Sequence, residues 1–271
     1  MTGLLIYERE GAERNAEYIK LHKKHGEELG IRFSVVICDE EELPQTADFA
    51  IVRAMRPDIT KILKSRGIPT FNNYHVSKIC NDKALTYEYL SENGIPVIPW
   101  LSANSGDEPP EIPSFPMVIK PRGGHGGKNV SIIRNDDEYK KARDEISPDG
   151  YVVQHLASDS SRDMRVYVLG SKIVGAVLRT ASGDFRSNFS LGGKVSAAKL
   201  TPEEYELVER VCSLFDFDLV GIDIMYHNDK PVINEIEDVV GSRMLYATHD
   251  IDIVKMYLEY ILTKLSSTSQ S

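Results

Sequence analysis

The sequence predicts a mixed fold, a small parallel α/β unit at the N-terminus followed by a longer α+β part, and three observations carry that reading. Apolar, β-branched runs alternate with helically spaced runs through residues 3–71. Five further strand-like runs then follow one another between residues 116 and 179. Last comes an apolar hairpin over Leu219–Glu237 whose acidic residues sit at alternate positions near its open end. Alternating strands and helices build parallel sheets, whereas consecutive strands build antiparallel ones.

Taken in order, Gly3–Tyr7 reads as a strand and Ala12–Leu29 as a helix with apolar residues near helical spacing. Arg32–Cys38 and Phe49–Arg53 are further strands, Pro57–Arg66 a second helix, and Gly67–Phe71 opens a fourth strand. The first domain is expected to end near residue 75, leaving 76–271 as the second unit. Ser77–Asn93 is helical in pattern, and Gly94-Ile-Pro-Val-Ile-Pro turns into an extended segment. Residues 102–115, rich in Pro, Ser, Asp and Glu, read as a surface linker, with Trp100 packing at the domain junction. Strands are expected at Pro116–Pro121, Val130–Arg134, Tyr151–His155, Asp163–Leu169 and Ile173–Arg179. Thr201-Pro-Glu-Glu starts a helix running to Phe215, because a capping hydroxyl precedes Pro at the first helical position. Ile251–Leu265 is an amphipathic helix and Ser266–Ser271 a frayed tail.

Composition narrows the function classes. At 271 residues, with 41% hydrophobic and 27% charged content, the chain is an ordinary globular protein with ample core. A net charge of −9 argues against a nucleic-acid partner, since binding a phosphate backbone calls for a basic surface. No run approaches the roughly 18 apolar residues of a membrane span. The first residues meet acidic side chains too soon for a signal peptide. Cys38, Cys80 and Cys212 are odd in number and far apart, which fits reduced thiols in the cytoplasm. The oligomeric state is open, a homo-oligomer included.

Two separated motifs carry chemistry. Lys120 ends the apolar run Met117-Val-Ile and feeds Gly123, Gly124, His125, Gly126 and Gly127. Backbone N–H groups of such glycines can approach a phosphate closely. It is neither of the common phosphate loops: Arg122 stands where a Walker A motif needs Gly, and Asn129 stands where either pattern needs another residue. A plain turn is the competing reading. Downstream, Asp223, Glu235 and Glu237 interrupt strands of Val, Ile and Leu. Glu235 and Glu237 share one face, and Asp223 on the neighbouring strand can face the same point. A solvated sheet face is the bland alternative, but charges in so apolar a hairpin are paired or metal-bound, and Mg²⁺ suits converging carboxylates. A third cluster, Arg179, Arg186 and Asn188, lies in a glycine-bracketed polar loop suited to phosphate or carboxylate. Lys83 sits at a helix start, where the dipole disfavours a cation; alone it is a solvated lysine or a contact to an anion.

The order of these parts resembles the ATP-grasp superfamily, and within it the ribosomal-protein glutamate-tail ligases. The pieces are Asn81-Asp-Lys-Ala, Met117-Val-Ile-Lys-Pro with its glycine loop, Asp163-Met-Arg165, Phe185-Arg-Ser-Asn188, Gly221-Ile-Asp223 and Asn234-Glu235-Ile-Glu237. The resemblance implies a pre-ATP-grasp α/β domain followed by two α+β subdomains that clamp ATP. It implies that Lys83 and Lys120 touch the phosphates under the glycine loop, that Gln154, His155 and Leu156 form the adenine hinge, and that Asp163 faces the ribose. Asp223 and Glu235 would hold Mg²⁺, while Arg179, Arg186 and Asn188 would surround the transferred phosphoryl group. The implied activity is an ADP-forming ligation of a small-molecule or peptide carboxylate to an amine through an acyl phosphate. A phosphotransferase and a non-catalytic Mg-ATP sensor are the alternatives; the sensor is suggested by Glu237, where the family usually has Asn.

Overall fold

The computed structural model describes residues 1–268 apart from 105, 125, 126, 128, 147–148 and 181–193. The chain opens with β1 (Thr2–Tyr7), α1 (Arg9–Arg14), α2 (Ala16–Glu28), β2 (Arg32–Ile37), β3 (Phe49–Val52), α3 (Pro57–Ser65) and β4 (Thr70–Phe71). These strands form a parallel sheet in the order β2-β1-β3-β4. Gly3 through Tyr7 are all buried, as expected of a central strand covered on both faces. The carboxyl ends of β1 and β3 come out at one edge, the usual position of a ligand crevice in such sheets.

Next come α4 (Tyr74–Cys80), α5 (Lys83–Glu92), β5 (Trp100–Ala103), β6 (Met117–Pro121), β7 (Ser131–Ile133), α6 (Asp136–Glu145) and β8 (Tyr151–His155). The strands make an antiparallel sheet ordered β5-β8-β6-β7. A second antiparallel sheet, ordered β11-β10-β9-β12-β13, contains β9 (Asp159–Leu169), β10 (Lys172–Thr180), β11 (Lys194–Ala198), β12 (Leu219–His227) and β13 (Lys230–Glu237). Helix α7 (Pro202–Cys212) precedes the last hairpin, and α8 (Arg243–Thr248) and α9 (Ile253–Thr268) follow it. Thr201 and Glu204 make the reciprocal capping box that starts α7. Asn228 and Asp229, with φ of 52° and 61°, turn β12 into β13 through a two-residue loop whose twist suits a hairpin.

Several expectations need correction. The helix expected over 12–29 is two helices, broken at Asn15, whose amide donates to the Gly11 carbonyl at 2.8 Å. The helix expected over 77–93 is also two. The Asp82 carboxylate accepts from the N–H groups of Ala84 and Leu85, so the backbone restarts there as a capped α5. Residues 102–115 are not wholly linker, since β5 runs to Ala103. One face of the parallel sheet has its own core, Leu4, Ile6, Val36, Ala50 and Val52 packed with Ile59 and Leu63 of α3, and only the other face shares its core with the rest. Leu5, Tyr7, Phe33, Phe49 and Phe71 share one buried cluster with Tyr167 and Leu169 of β9 and Ile253, Val254, Tyr257 and Ile261 of α9. No helix among the described residues is long and apolar enough to cross a membrane.

Candidate active site

The hairpin register pairs Asp223 with Glu235 and Gly221 with Glu237, with a bulge just after Asp223. A bulge re-aims side chains locally. One oxygen from each of Asp223, Glu235 and Glu237 lies within 4.8 Å of the others. Strand β9 sets Arg165 opposite Asp223, and β10 sets Arg179 opposite Asp163. Arg165 donates from Nε and Nη2 to the two Asp223 oxygens, both at 2.7 Å, and Nη2 also meets Glu237. Arg179 grips both oxygens of Asp163 and donates to Asp223 Oδ2 at 2.7 Å. Charges of opposite sign thus alternate across four strands in a largely buried row.

That row fixes the protonation of the cluster. Burial pushes the Asp223 carboxyl up, but Arg165 and Arg179 outweigh it and hold it below the usual carboxylate range. Glu237 is pushed up, first by burial and then by Asp223 and Glu235 against the pull of Arg165. A carboxylate offers about four lone-pair sites. Asp223 spends three of them on guanidinium N–H groups, leaving one on Oδ1. Glu235, Glu237 and that remaining position form an all-oxygen donor set, which fits a hard cation such as Mg²⁺.

The two lysines reach this cluster from the other sheet and from α5. Lys83 Nζ donates to the Gly124 carbonyl at 2.8 Å and stands 3.1 Å from Glu235 Oε1. Gly124 has φ of 94°, a left-handed conformation that side chains resist. Lys120, almost fully buried, donates to the Tyr87 hydroxyl at 2.6 Å, Gln154 Oε1 at 2.9 Å and Asn234 Oδ1 at 3.4 Å. All three acceptors are uncharged. Burial, aided by Lys83 and opposed by Glu235, lowers its ammonium to about 7. Phosphate oxygens entering beside it would supply the missing counter-charge.

The predicted residues are therefore brought together unevenly. Lys83, Lys120, Gly124, Asp223, Glu235 and Glu237 converge. Gly123 and Gly127 lie on the same loop, with open space around the Gly123 Cα. His125, Gly126, Arg186 and Asn188 fall outside the described residues. Gln154 is turned inward onto Lys120, while His155 and Leu156 are half-buried beside it. Asp163 does not stand open to a ribose, because Arg179 holds both its oxygens in the sheet. Arg179 itself is buried between Asp163 and Asp223, although it also borders the cleft. Sequence reasoning passed over three participants, Arg165, Tyr87 and Asn234. Arg165 and Asn234 each stand within two residues of a site position, and Tyr87 is four residues past Lys83, one helical turn along the same face.

Above the carboxylates opens a cleft of about 620 Å³. Arg165, Arg179, Glu235 and Glu237 form one side, and Tyr7, Arg14 and Arg53 from the parallel sheet and its first helix form the other. Arg53 Nη2 donates to the Val240 carbonyl at 2.9 Å, with its guanidinium 5.2 Å from the Tyr18 ring centre. Arg56, three residues on, is paired with Asp58.

Residues 80–261 match the RimK-like ATP-grasp domain. A glutamate–LysW ligase, ArgX, of Sulfolobus acidocaldarius is 30% identical over 262 residues, covering 89% of this chain and 93% of its own. A probable alpha-L-glutamate ligase of Ectopseudomonas mendocina is 28% identical over 192 residues, 66% of this chain and 62% of that one. Among solved structures, D-alanine–D-alanine ligase from Bacillus anthracis complexed with ATP superposes with a TM-score of 0.77. It is 15% identical, with 99% of this chain and 98% of that one covered. A RimK-domain ATP-grasp protein from Sphaerobacter thermophilus gives 0.73 at 17% identity, over 96% and 99%. At those identities the two structures speak for the fold.

Proposed function

We infer the reaction from one premise: the chain belongs to the RimK-like ATP-grasp family, and it is an ADP-forming carboxylate–amine ligase. The observation that carries the assignment of its residues is the meeting of Lys83 and Lys120 with Asp223, Glu235 and Glu237 across one site. In our reading a substrate carboxylate oxygen bonds to the γ-phosphorus of ATP as the bridging P–O bond breaks and ADP departs. The amine nitrogen then bonds to the acyl carbon, phosphate leaves with the C–O electron pair, and the surplus proton passes to solvent.

Each residue has a part in this scheme. Lys83 and Lys120 neutralise the phosphates, and one such electrostatic contact is worth roughly 3–4 kcal/mol in a transition state. Glu235, Glu237 and the spare Asp223 lone pair would hold Mg²⁺, which when bound supplies neutralisation of charge between phosphates. Arg165 and Arg179 keep Asp223 ionised and aimed. The arginine-bordered cleft beneath the parallel sheet would receive the acid and amine. The named relatives direct the first trial to glutamate joined to a peptide or protein tail. The free cysteines suit a cytoplasmic enzyme.

The test follows ADP and phosphate release over a panel of acids and amines. Release that requires both partners, with an amide product, is expected. Phosphate transferred to a hydroxyl without amide formation would make the protein a phosphotransferase. Mg-ATP binding without ADP over the whole panel would make it a sensor.

A further inference from the structure

Tyr87 is fully buried, and its phenol touches both sides of the candidate nucleotide site. Its O–H donates to the backbone carbonyl of Asn234 at 2.7 Å, next to Glu235 on β13. That commits its only proton, so its lone pairs face outward to accept, and Lys120 Nζ of β6 donates to them at 2.6 Å. The ring supports the same geometry, with Nζ 5.1 Å from its centre and Trp100 packed 5.7 Å away. Lys83, one helical turn earlier on α5, joins Gly124 to Glu235 in parallel. One face of one helix therefore ties the glycine-loop sheet to the strand of carboxylates at two points.

We propose that Tyr87 is a positioning residue, whose hydroxyl holds the Lys120 ammonium in register with the Asn234–Glu235 strand end and so aligns the phosphate-binding lysine with the carboxylate cluster. The proposal rests on Lys120 as a nucleotide contact. Gln154 and, at 3.4 Å, Asn234 accept the other two N–H groups of its Nζ. Loss of the phenol therefore loosens the lysine without removing it, and an entering phosphate oxygen would take the place of the weak Asn234 contact.

A double-mutant cycle tests this by calorimetric binding of a non-hydrolysable ATP imido analogue with Mg²⁺ to the full chain. The four proteins are the parent, Tyr87→Phe, Lys120→Met and the double variant, each checked by thermal melting. Tyr87→Phe should bind about tenfold more weakly, the scale of a hydrogen bond to a charged group. In the Lys120→Met background the same change should alter affinity by less than about twofold, because its effect runs through the lysine. Equal losses in both backgrounds would reduce Tyr87 to core packing and overturn the proposal. Parent-like affinity of Tyr87→Phe, or of Lys120→Met, would overturn it as well. Should Tyr87→Phe fail to fold, Tyr87→Met, apolar and flexible enough to fill the space without a hydroxyl, carries the same cycle and is read the same way. A parent that binds the analogue yet ligates nothing would sink the ligase assignment while leaving this cycle decisive.

Discussion

Replacing Arg165 with Met keeps the length of the side chain and removes its charge. The guanidinium is buried and serves two carboxylates, Asp223 and Glu237, themselves mostly withdrawn from solvent. Removing one partner of a buried ion pair costs roughly 3–5 kcal/mol, because the other charge stays desolvated. For a chain of this size each kcal/mol moves the melting point by about 2–4 °C, so a fall of about 6–20 °C is expected. The pH dependence has a definite sign. In the parent, Asp223 titrates below its unfolded value, so its contribution is present at neutral pH and lost as pH falls through the folded value. In the variant, burial would be opposed by Arg179 alone, so both carboxyls should shift upward from where they stand in the parent. Their ionised forms then cost the variant more than the parent as pH rises, and acid relieves the difference. Melting followed by circular dichroism in the presence of a chelator, from neutral down to about pH 5, should show the gap narrowing. A gap below about 2 °C at neutral pH, or one that ignores pH, would refute the buried charge row.

Other expectations concern the site itself. Glu235→Gln should leave the fold intact and abolish ADP formation; undiminished turnover would remove Glu235 from the metal set. Lys120 titrates near 7 in the free protein, and phosphates favour its charged form, so nucleotide binding should take up a fraction of a proton around neutral pH and less in acid. Calorimetry in two buffers of different ionisation enthalpy reads this directly, and no uptake would reject the lowered ammonium. Glu237→Asn should retain Mg-ATP binding while weakening Mg²⁺ binding without nucleotide; loss of both would give Glu237 a separate role.

Period-two alternation makes Asp223, Glu235 and Glu237 readable from the chain alone, because strand geometry puts Glu235 and Glu237 on one face. Their apolar surroundings argue further that they are not idle. The row of arginines is harder to see. Which of Arg162, Arg165 and Arg179 meets Asp223 depends on the register between β9, β10 and β12, a nonlocal property set by bulges near Ile173 and Ile224. Helix α6 escapes because Tyr139 is its only buried residue, so it has no apolar stripe; its signal lies in the cap, where Asn135 accepts from the Glu138 N–H at 2.9 Å. The break before Lys83 also lies in a cap. Asp82 is visible in the sequence, but a helical pattern on both sides conceals that its carboxylate starts a new helix. Asp163 misleads for a related reason, since a motif position carries no information about an arginine on the next strand.

The glutamate at position 237 bears both on its neighbour Arg165 and on the candidate cation site. Four carboxylates, Asp163, Asp223, Glu235 and Glu237, are paired directly with three cations, Arg165, Arg179 and Lys83, and the Lys120 ammonium, lowered to about 7, stands beside them as a partial fourth. An asparagine at 237 could still accept a hydrogen bond from Arg165 while removing one negative charge. Burial pushes the Glu237 carboxyl up, and the repulsion from Asp223 and Glu235 adds to this against the pull of Arg165 and Arg179. Arg165 tolerates this because its fork spans both strands, with Nε committed to Asp223 and Nη2 shared between Asp223 and Glu237. A lysine at 165, a single point of charge, lacks that reach. The extra charge would therefore favour a divalent ion at the candidate site without dismantling the pairs that shape it.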